Sequence, residues 1–132
     1  MLAARQVLGE RGERLAEQWL ASRGWVILAR RFRSGHRDID LVVERASGTG
    51  EGHGAAARIV AFVEVKTRAS GGYGGPLAAV HWRKQRELAR AARDWIAKNR
   101  RPGDNYRFDV VGIVDCDRRP EIVHVENAFV VK

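Results

Sequence analysis

The chain has 132 residues, which suits one domain with a buried core, so residues 1–132 are predicted to form a single domain. Its 24 Lys and Arg against 16 Asp and Glu give a net charge of +8, which favours a polyanionic partner, nucleic acid first. A single cysteine, Cys116, excludes an internal disulfide and a thiolate zinc site. No apolar run approaches a membrane span, and residues 1–10 lack the apolar core of a signal peptide. We therefore expect a cytoplasmic protein without a membrane partner.

The pattern of apolar residues predicts seven elements in the order α-β-β-β-α-β-β. Their predicted bounds are 7–23 for the first helix, 25–29, 37–45 and 58–67 for three strands, 77–99 for the second helix, and 106–114 and 121–125 for the last two strands. A hairpin-rich start followed by a helical crossover indicates an α/β fold, a mixed central sheet of about five strands flanked by helices. Glycine-rich residues 46–57 are predicted to form a mobile hairpin tip.

Charged residues interrupt the third predicted strand, which is otherwise apolar on both faces and therefore central in the sheet. Glu64 and Lys66 are two residues apart, so their side chains share a face. On the preceding strand Asp38 and Asp40 share a face for the same reason. These two strands follow each other in the chain and are joined only by the loop at 46–57, so we expect them to pair antiparallel. This pairing would place Asp40 across from Glu64 near one end of the sheet.

Carboxylates at the end of an apolar sheet cost free energy unless something compensates them. Mg²⁺ prefers oxygen ligands and commonly takes one or two carboxylates, with waters or phosphate oxygens in its remaining positions. The predicted ligands of Mg²⁺ or Mn²⁺ are Asp40, Glu64 and the backbone carbonyl of Val65. Lys66 would orient an attacking water or stabilise charge on a phosphate. The alternative is a structural salt bridge, although one lysine cannot neutralise several carboxylates that repel one another.

A fourth carboxylate, Glu13, borders the apolar stripe of the first helix rather than facing water squarely. Its neighbour Gly12 would allow this helix to approach the sheet closely. An exposed helix glutamate is the alternative.

The ordered set of Asp40, then Glu64 and Lys66 between apolar strand residues, resembles the PD-(D/E)xK nuclease superfamily. The wider chain, from Gly12-Glu13 to residues 107–111, resembles the YraN-like family of small bacterial predicted endonucleases. Archaeal Holliday-junction resolvases are similar in layout, with a helix-borne glutamate, an aspartate and then Glu-x-Lys. The resemblance implies a restriction-endonuclease-like core that hydrolyses phosphodiester bonds of DNA, including branched or damaged DNA. It also implies that Glu13 lies beside the metal, as a catalytic residue and a further ligand.

The chain departs from the family pattern just before Asp40, where Arg37-Asp38 stand in place of Gly-Glu. Asp38 keeps the charge with a shorter reach, and we expect it to support the metal ligands from the same strand. Arg37 adds a cation and removes the backbone freedom of glycine.

Basic residues surround the acids in the sequence. The predicted nucleic-acid contacts are Arg30, Arg31, Arg33, Arg37, Arg68 and Lys84. Contacts to phosphates give affinity with little sequence information, and no base-reading motif is visible, so the expected partner is nonspecific or structure-selective, with DNA favoured over RNA. For the second helix a solvated basic face is the alternative, and Arg83 and Arg86 fit the pattern as well as Lys84 does. The four tryptophans are expected in the core, and Asp109 is expected to form a structural salt bridge.

Three functions compete at this stage. The leading hypothesis is a metal-dependent endonuclease, for which a homodimer would fit the cutting of two strands. The alternatives are a non-catalytic nucleic-acid-binding protein with a nuclease fold and a basic adaptor that binds other proteins.

Overall fold

The order α-β-β-β-α-β-β is confirmed within residues 4–47, 57–68, 80–114 and 119–130, which the computed structural model describes, with side chains from residue 8 onward. The elements are α1 (Ala4–Ser22), β1 (Val26–Ser34), β2 (Arg37–Ala46), β3 (Arg58–Arg68), α2 (Trp82–Asn99), β4 (Asp104–Val114) and β5 (Glu121–Phe129). Most of the predicted hairpin tip at 46–57, the glycine-rich loop at 71–76 and Cys116 lie outside the described residues.

The five strands form one mixed sheet in the order β1-β2-β3-β4-β5, as the predicted class requires. β3 and β4 are parallel, and the other three neighbouring pairs are antiparallel. A parallel pair needs a crossover connection, and α2 lies in the segment that joins β3 to β4. The central position of β3 explains why its middle residues are buried on both faces.

The sheet has a core on each face, one against α1 and one against α2. Alternate residues of β3 divide between them, with Ala61, Val63 and Val65 on the α1 side and Val60 and Phe62 on the α2 side. Glu64 and Lys66 continue the series of Val60 and Phe62. The fold therefore places these two charges on the α2 face, just beyond the point where β2 stops pairing with β3.

The alternation along β2 breaks at Asp40. Ile39 packs in the α2-side core, whereas Leu41, two residues further on, packs in the α1-side core. On β1 the neighbouring pairs are Arg30 with Leu41 and Phe32 with Ile39, which places Arg31 opposite Asp40. Arg31 has a φ of 47°, an unusual backbone conformation for a residue with a side chain. The two strands are thus locally irregular at the position where the candidate acid lies.

Two details of α2 differ from the prediction. The helix begins at Trp82 rather than near residue 77, because His81 is extended (φ −78°, ψ 175°) and serves as the N-cap. Trp82 is 60% exposed, so its assignment to the core was wrong, whereas Trp25 and Trp95 are buried. The buried positions of α2 recur at three- and four-residue spacing from Leu88 to Trp95, and Trp82 does not continue that series.

The last strand is longer than predicted and ends at Phe129 rather than near residue 125. Phe129 pairs with Phe108 of β4, and the two rings stack with centroids 4.9 Å apart. A register shift between Phe108 and Val110 interrupts the pairing beside the polar stretch that precedes Phe129. Because the pairing is irregular there, the alternation of apolar residues stops before the strand does, and the sequence pattern therefore predicted too short a strand.

Candidate functional site

Asp40 and Glu64 lie at the end of the β2–β3 ladder, as the strand pattern predicted. The last residues paired at this end are Leu41 and Val63, so Asp40 and Glu64 are the next residues outward on their strands. The backbone amide of Val65 donates a hydrogen bond to Asp40 Oδ2 at 2.7 Å. This bond orients the Asp40 carboxylate toward β3.

The carboxyl group of Asp40 is unusually hard to ionise. Burial, followed by the nearby charge of Glu64, raises the pKa of Asp40 from its ordinary value of 3.8 to about 8. Glu13 adds to the increase in pKa, whereas the Val65 amide and the charge of Lys84 act against it. The two acids predicted to share a metal therefore interact electrostatically and favour a compensating cation.

Glu64 is the most buried of the candidate acids, with only 4% of the residue exposed. Its Oε1 lies 3.5 Å from Lys66 Nζ and 3.8 Å from Lys84 Nζ. Its Oε2 is buried and has no hydrogen-bond partner among the described residues. A buried carboxylate oxygen without a partner is costly, and such an atom in a native protein indicates a missing ligand, water or ion.

Lys84 reaches Glu64 because of its position on α2. It lies four residues before the buried Leu88 and seven before the buried Ala91, which places it on the sheet-facing side of the helix. Arg83 and Arg86 lie instead beside the ring of Trp82. The helical periodicity was therefore sufficient to choose Lys84 over its two neighbours, although the sequence argument left them equal.

Glu13 approaches the site from α1, and Gly12 makes that approach possible. A Cβ added at Gly12 would collide with the Thr67 hydroxyl and lie 2.9 Å from Thr67 Cβ, so the helix backbone lies against β3. Glu13 is close enough to Asp40 to raise its pKa, but its carboxylate is bound by Arg31, with a 3.0 Å hydrogen bond from Nε. Glu13 thus lies beside the site in an ion pair.

The other predicted nucleic-acid contacts have varied surroundings. Arg30 pairs with Glu17 of α1, and Arg33 Nε lies 3.1 Å from Asp38 Oδ1. Asp38 therefore contacts an arginine, and its expected support of the metal ligands stays a prediction. Arg37 Nε is buried without a hydrogen-bond partner among the described residues, and Arg68 is the last residue of β3.

A surface cleft of about 460 Å³ opens on Asp40. Its lining residues are Glu13, Arg31, Arg33, Asp38 and Asp40. The cleft places Asp40 beside two arginines, each of which contacts another carboxylate of the lining, Arg31 with Glu13 and Arg33 with Asp38.

The donor set fits a divalent cation with open positions better than a closed protein cage. Asp40 and Glu64 offer carboxylate oxygens, and Glu64 Oε2 has no partner in the described part of the chain, which suits the oxygen preference of Mg²⁺. Within the described ranges, no three side chains of His, Cys, Asp or Glu are grouped closely enough to hold a metal ion.

A second polar cluster was found only in part from the sequence. The Asp109 carboxylate is fully buried and accepts hydrogen bonds from Arg107 (3.0 Å) and from the Asn127 backbone amide (2.9 Å). It also lies 2.7 Å from His124 Nε2. A structural salt bridge of Asp109 with Arg107 or with a helix arginine was expected, and the structure has the one with Arg107. The contact with His124 was not predicted, because it depends on the β4–β5 pairing.

Comparison with known proteins assigns the chain to a family. The family described as "Uncharacterised protein family UPF0102" matches residues 12–113, a span that contains every candidate acid, and the chain belongs to this family. Among similar proteins, the UPF0102 protein of Trichlorobacter lovleyi is 40% identical over 94% of this chain and 91% of its own length. That of Chloroherpeton thalassium is also 40% identical, over 92% of each chain. In the described part of the chain no helix is long and apolar enough to cross a membrane.

Proposed function

We propose that this protein is a metal-dependent endonuclease that hydrolyses phosphodiester bonds of DNA. One observation carries the proposal: Glu64 is buried at the end of the β2–β3 ladder, and one of its carboxylate oxygens lacks a hydrogen-bond partner among the described residues. Asp40 lies beside it with a raised pKa, and two lysines lie within 4 Å of its other oxygen. The resemblance to PD-(D/E)xK nucleases and to the YraN-like family supports the same function.

The cost of the arrangement argues for a cation. Burial and the charge of Glu64 raise the pKa of Asp40, so the ionised Asp40 carboxylate destabilises the metal-free protein, and carboxyl groups with such perturbed pKa values are concentrated at functional sites. Asp40 and Glu64 would hold Mg²⁺ or Mn²⁺, with the Val65 carbonyl as a further ligand. The bound metal would supply Lewis-acid stabilisation of the phosphate and a more acidic water.

The two lysines would have separate roles. Lys66, on the same strand face as Glu64, would hydrogen-bond the attacking water and orient it toward phosphorus. Lys84, from α2, would bind a nonbridging oxygen of the scissile phosphate and stabilise its developing charge. Both are about one-third exposed, so both are accessible to a substrate.

Glu13 and the arginines of β1 would act at the rim of the site. Once Arg31 releases Glu13 and binds a phosphate instead, Glu13 would act as a further metal ligand or as a catalytic group. Arg30, Arg31, Arg33, Arg37 and Arg68 would bind the DNA backbone, and Asp38 would hold Arg33 in position. A cytoplasmic location and a homodimer for cutting two strands belong to this proposal as expectations.

The test is a cleavage assay with branched, single-stranded and linear duplex DNA in Mg²⁺, Mn²⁺ or EDTA. The proposal predicts metal-dependent cleavage of at least one substrate, and a loss of about 100-fold or more in Glu64→Gln and Lys66→Ala. Glu121→Gln, an exposed carboxylate on β5, is the matched control. Absence of cleavage with every substrate, or cleavage unaffected by Glu64→Gln, would contradict it.

A second function is favoured by the ion pair between Arg31 and Glu13, which keeps a third acid from the proposed metal. In that case the protein binds nucleic acid without cutting it. Binding would then weaken steeply with salt, and Lys66→Ala would leave every measurable activity intact.

A further inference from the structure

Trp82 is the most exposed aromatic side chain among the residues that the structure describes. It is 60% exposed at the first residue of α2, whereas Trp25 and Trp95 are 3% and 5% exposed. A single exposed apolar residue is unremarkable by itself. The exposure of Trp82 is informative because of the residues that surround its ring.

Cations flank the ring of Trp82. The guanidinium carbons of Arg83 and Arg86 lie 5.4 and 6.0 Å from its centroid, within the range of cation–π attraction. Both arginines are exposed, and the first turn of α2 contains no acid. The surface around the ring is therefore positive and open to solvent.

A row of arginines continues from Trp82 along the same side of the helix. Residues four, eight and eleven positions after Trp82 share its face, and they are Arg86, Arg90 and Arg93, all exposed. Successive members separated by four residues are about 6 Å apart along the axis. We call Trp82 with these three arginines the α2 stripe. Its charge is complementary to a strand of phosphates, and its aromatic end is complementary to a base.

The stripe begins at the end of α2 that carries a residue of the candidate site. Lys84, two residues after Trp82 and about 200° from it around the helix axis, lies on the sheet-facing side, 3.8 Å from Glu64 Oε1. A strand whose scissile phosphate lies at Lys84 would therefore reach Trp82 by passing around the N-terminal end of α2. Bases in a duplex are stacked on one another and cannot stack on a protein ring, whereas unpaired bases can.

From this geometry we infer that Trp82 is a stacking platform for an unpaired base, with Arg86, Arg90 and Arg93 binding the adjoining phosphates. The inference deepens the proposed nuclease function by naming its substrate class as nucleic acid with a single-stranded segment. The inference depends on the proposed nuclease function only where cleavage of the strand is concerned, because the α2 stripe would bind such a strand without a metal.

The experiment measures binding of two fluorescent oligonucleotides of equal length in EDTA, one of thymidines and one with abasic sites in place of the bases. Both have the same phosphates, so their difference in affinity reports base contacts alone. The wild type should bind the thymidine strand about 5- to 100-fold more tightly, and Trp82→Ala should remove that preference. Trp82→Phe should restore most of it, since phenylalanine keeps an aromatic face.

Three further variants separate the phosphate contacts of the stripe from other effects. Arg90→Gln should weaken binding of both strands equally and lower the salt dependence, because it removes a phosphate contact. Val123→Ala removes an exposed apolar side chain from β5 and should change neither affinity. Glu64→Gln should keep the base preference even if it abolishes cleavage, so that failure of the nuclease proposal and failure of this inference are distinct.

Three results would overturn the inference. One is equal binding of the two strands by the wild type, and another is a base preference that survives Trp82→Ala. The third is self-association of the wild type that Trp82→Ala abolishes, without any base preference, which would assign the ring to contact with a second copy of the chain.

Discussion

The backbone amide of Val65 donates a 2.7 Å hydrogen bond to Oδ2 of Asp40, which joins β2 to β3 beside Glu64. The bond stabilises the ionised form of Asp40, but burial and the charge of Glu64 outweigh it and raise the pKa of Asp40 to about 8. The ionised carboxylate of Asp40 therefore destabilises the metal-free protein.

That cost predicts a pH-dependent effect of Asp40→Asn on the metal-free protein. A carboxyl whose folded pKa exceeds its unfolded pKa lowers stability progressively as the pH rises from about 4 to about 8. Asparagine keeps the oxygen that accepts the Val65 amide but does not ionise. Urea unfolding in EDTA should therefore show the variant to be more stable than the wild type at pH 9, with a smaller advantage at pH 5. An advantage that is equal at the two pH values would contradict the raised pKa.

The close contact of α1 with β3 predicts opposite effects of alanine at two glycines of one helix. Gly12→Ala should destabilise the protein by about 1–3 kcal/mol, because its Cβ would collide with Thr67. At Gly9 no atom lies within 4 Å of an added Cβ, so Gly9→Ala should stabilise the helix by about 0.5–1 kcal/mol. Thermal or urea unfolding measures both. Equal effects of the two substitutions would mean that the helix does not lie against Thr67.

The buried cluster around Asp109 predicts a large loss of stability in Asp109→Ala. The substitution would leave Arg107 and His124 without their buried partner, at a cost of about 3–5 kcal/mol. Glu126→Gln tests the same arginine from its exposed side, where the pair is 3.5 Å long and should contribute less than about 1 kcal/mol. Urea unfolding at pH 7 compares the two variants.

Acid should remove the contribution of Asp109. Hydrogen bonds from His124, Asn127 and Arg107 outweigh burial and lower its pKa below the ordinary value. A carboxylate with a lowered folded pKa stabilises the protein above its unfolded pKa and loses that effect as the pH falls through the folded value. The difference in stability between the wild type and Asp109→Asn should therefore shrink below about pH 4. A difference that is constant from pH 7 to pH 2.5 would count against this account.

The approach of Lys84 to Glu64 predicts a selective loss of cleavage in Lys84→Met. Activity should fall by about 10- to 100-fold, since the variant lacks a cation at the scissile phosphate. Lys98→Met, at the other end of α2, removes a cation that lies 5.9 Å from the Phe32 ring and should retain activity. If the two variants cleave DNA equally well, Lys84 takes no part in the reaction.

Much of the site was predictable from the alternation of strand residues. The shared face of Glu64 and Lys66 and the position of Asp40 across from Glu64 follow from a period of two and from antiparallel pairing. The ion pair of Arg31 with Glu13 did not follow, because it depends on the positive φ of Arg31 and on the packing of α1. The exposure of Trp82 was predictable from its spacing to Leu88, because a residue six positions before a buried one lies on another face of the helix, although the hydrophobicity of tryptophan alone favours the core.

The most direct test of the central claim is a calorimetric titration of Mn²⁺ into the wild type, Asp40→Asn and Glu64→Gln, with Glu121→Gln as the matched control. If Asp40 and Glu64 share a cation, the wild type and the control bind Mn²⁺ at a common site, and each of the other two variants binds at least about 10-fold more weakly. Absence of binding to the wild type, or equal affinity in Glu64→Gln, would contradict the account.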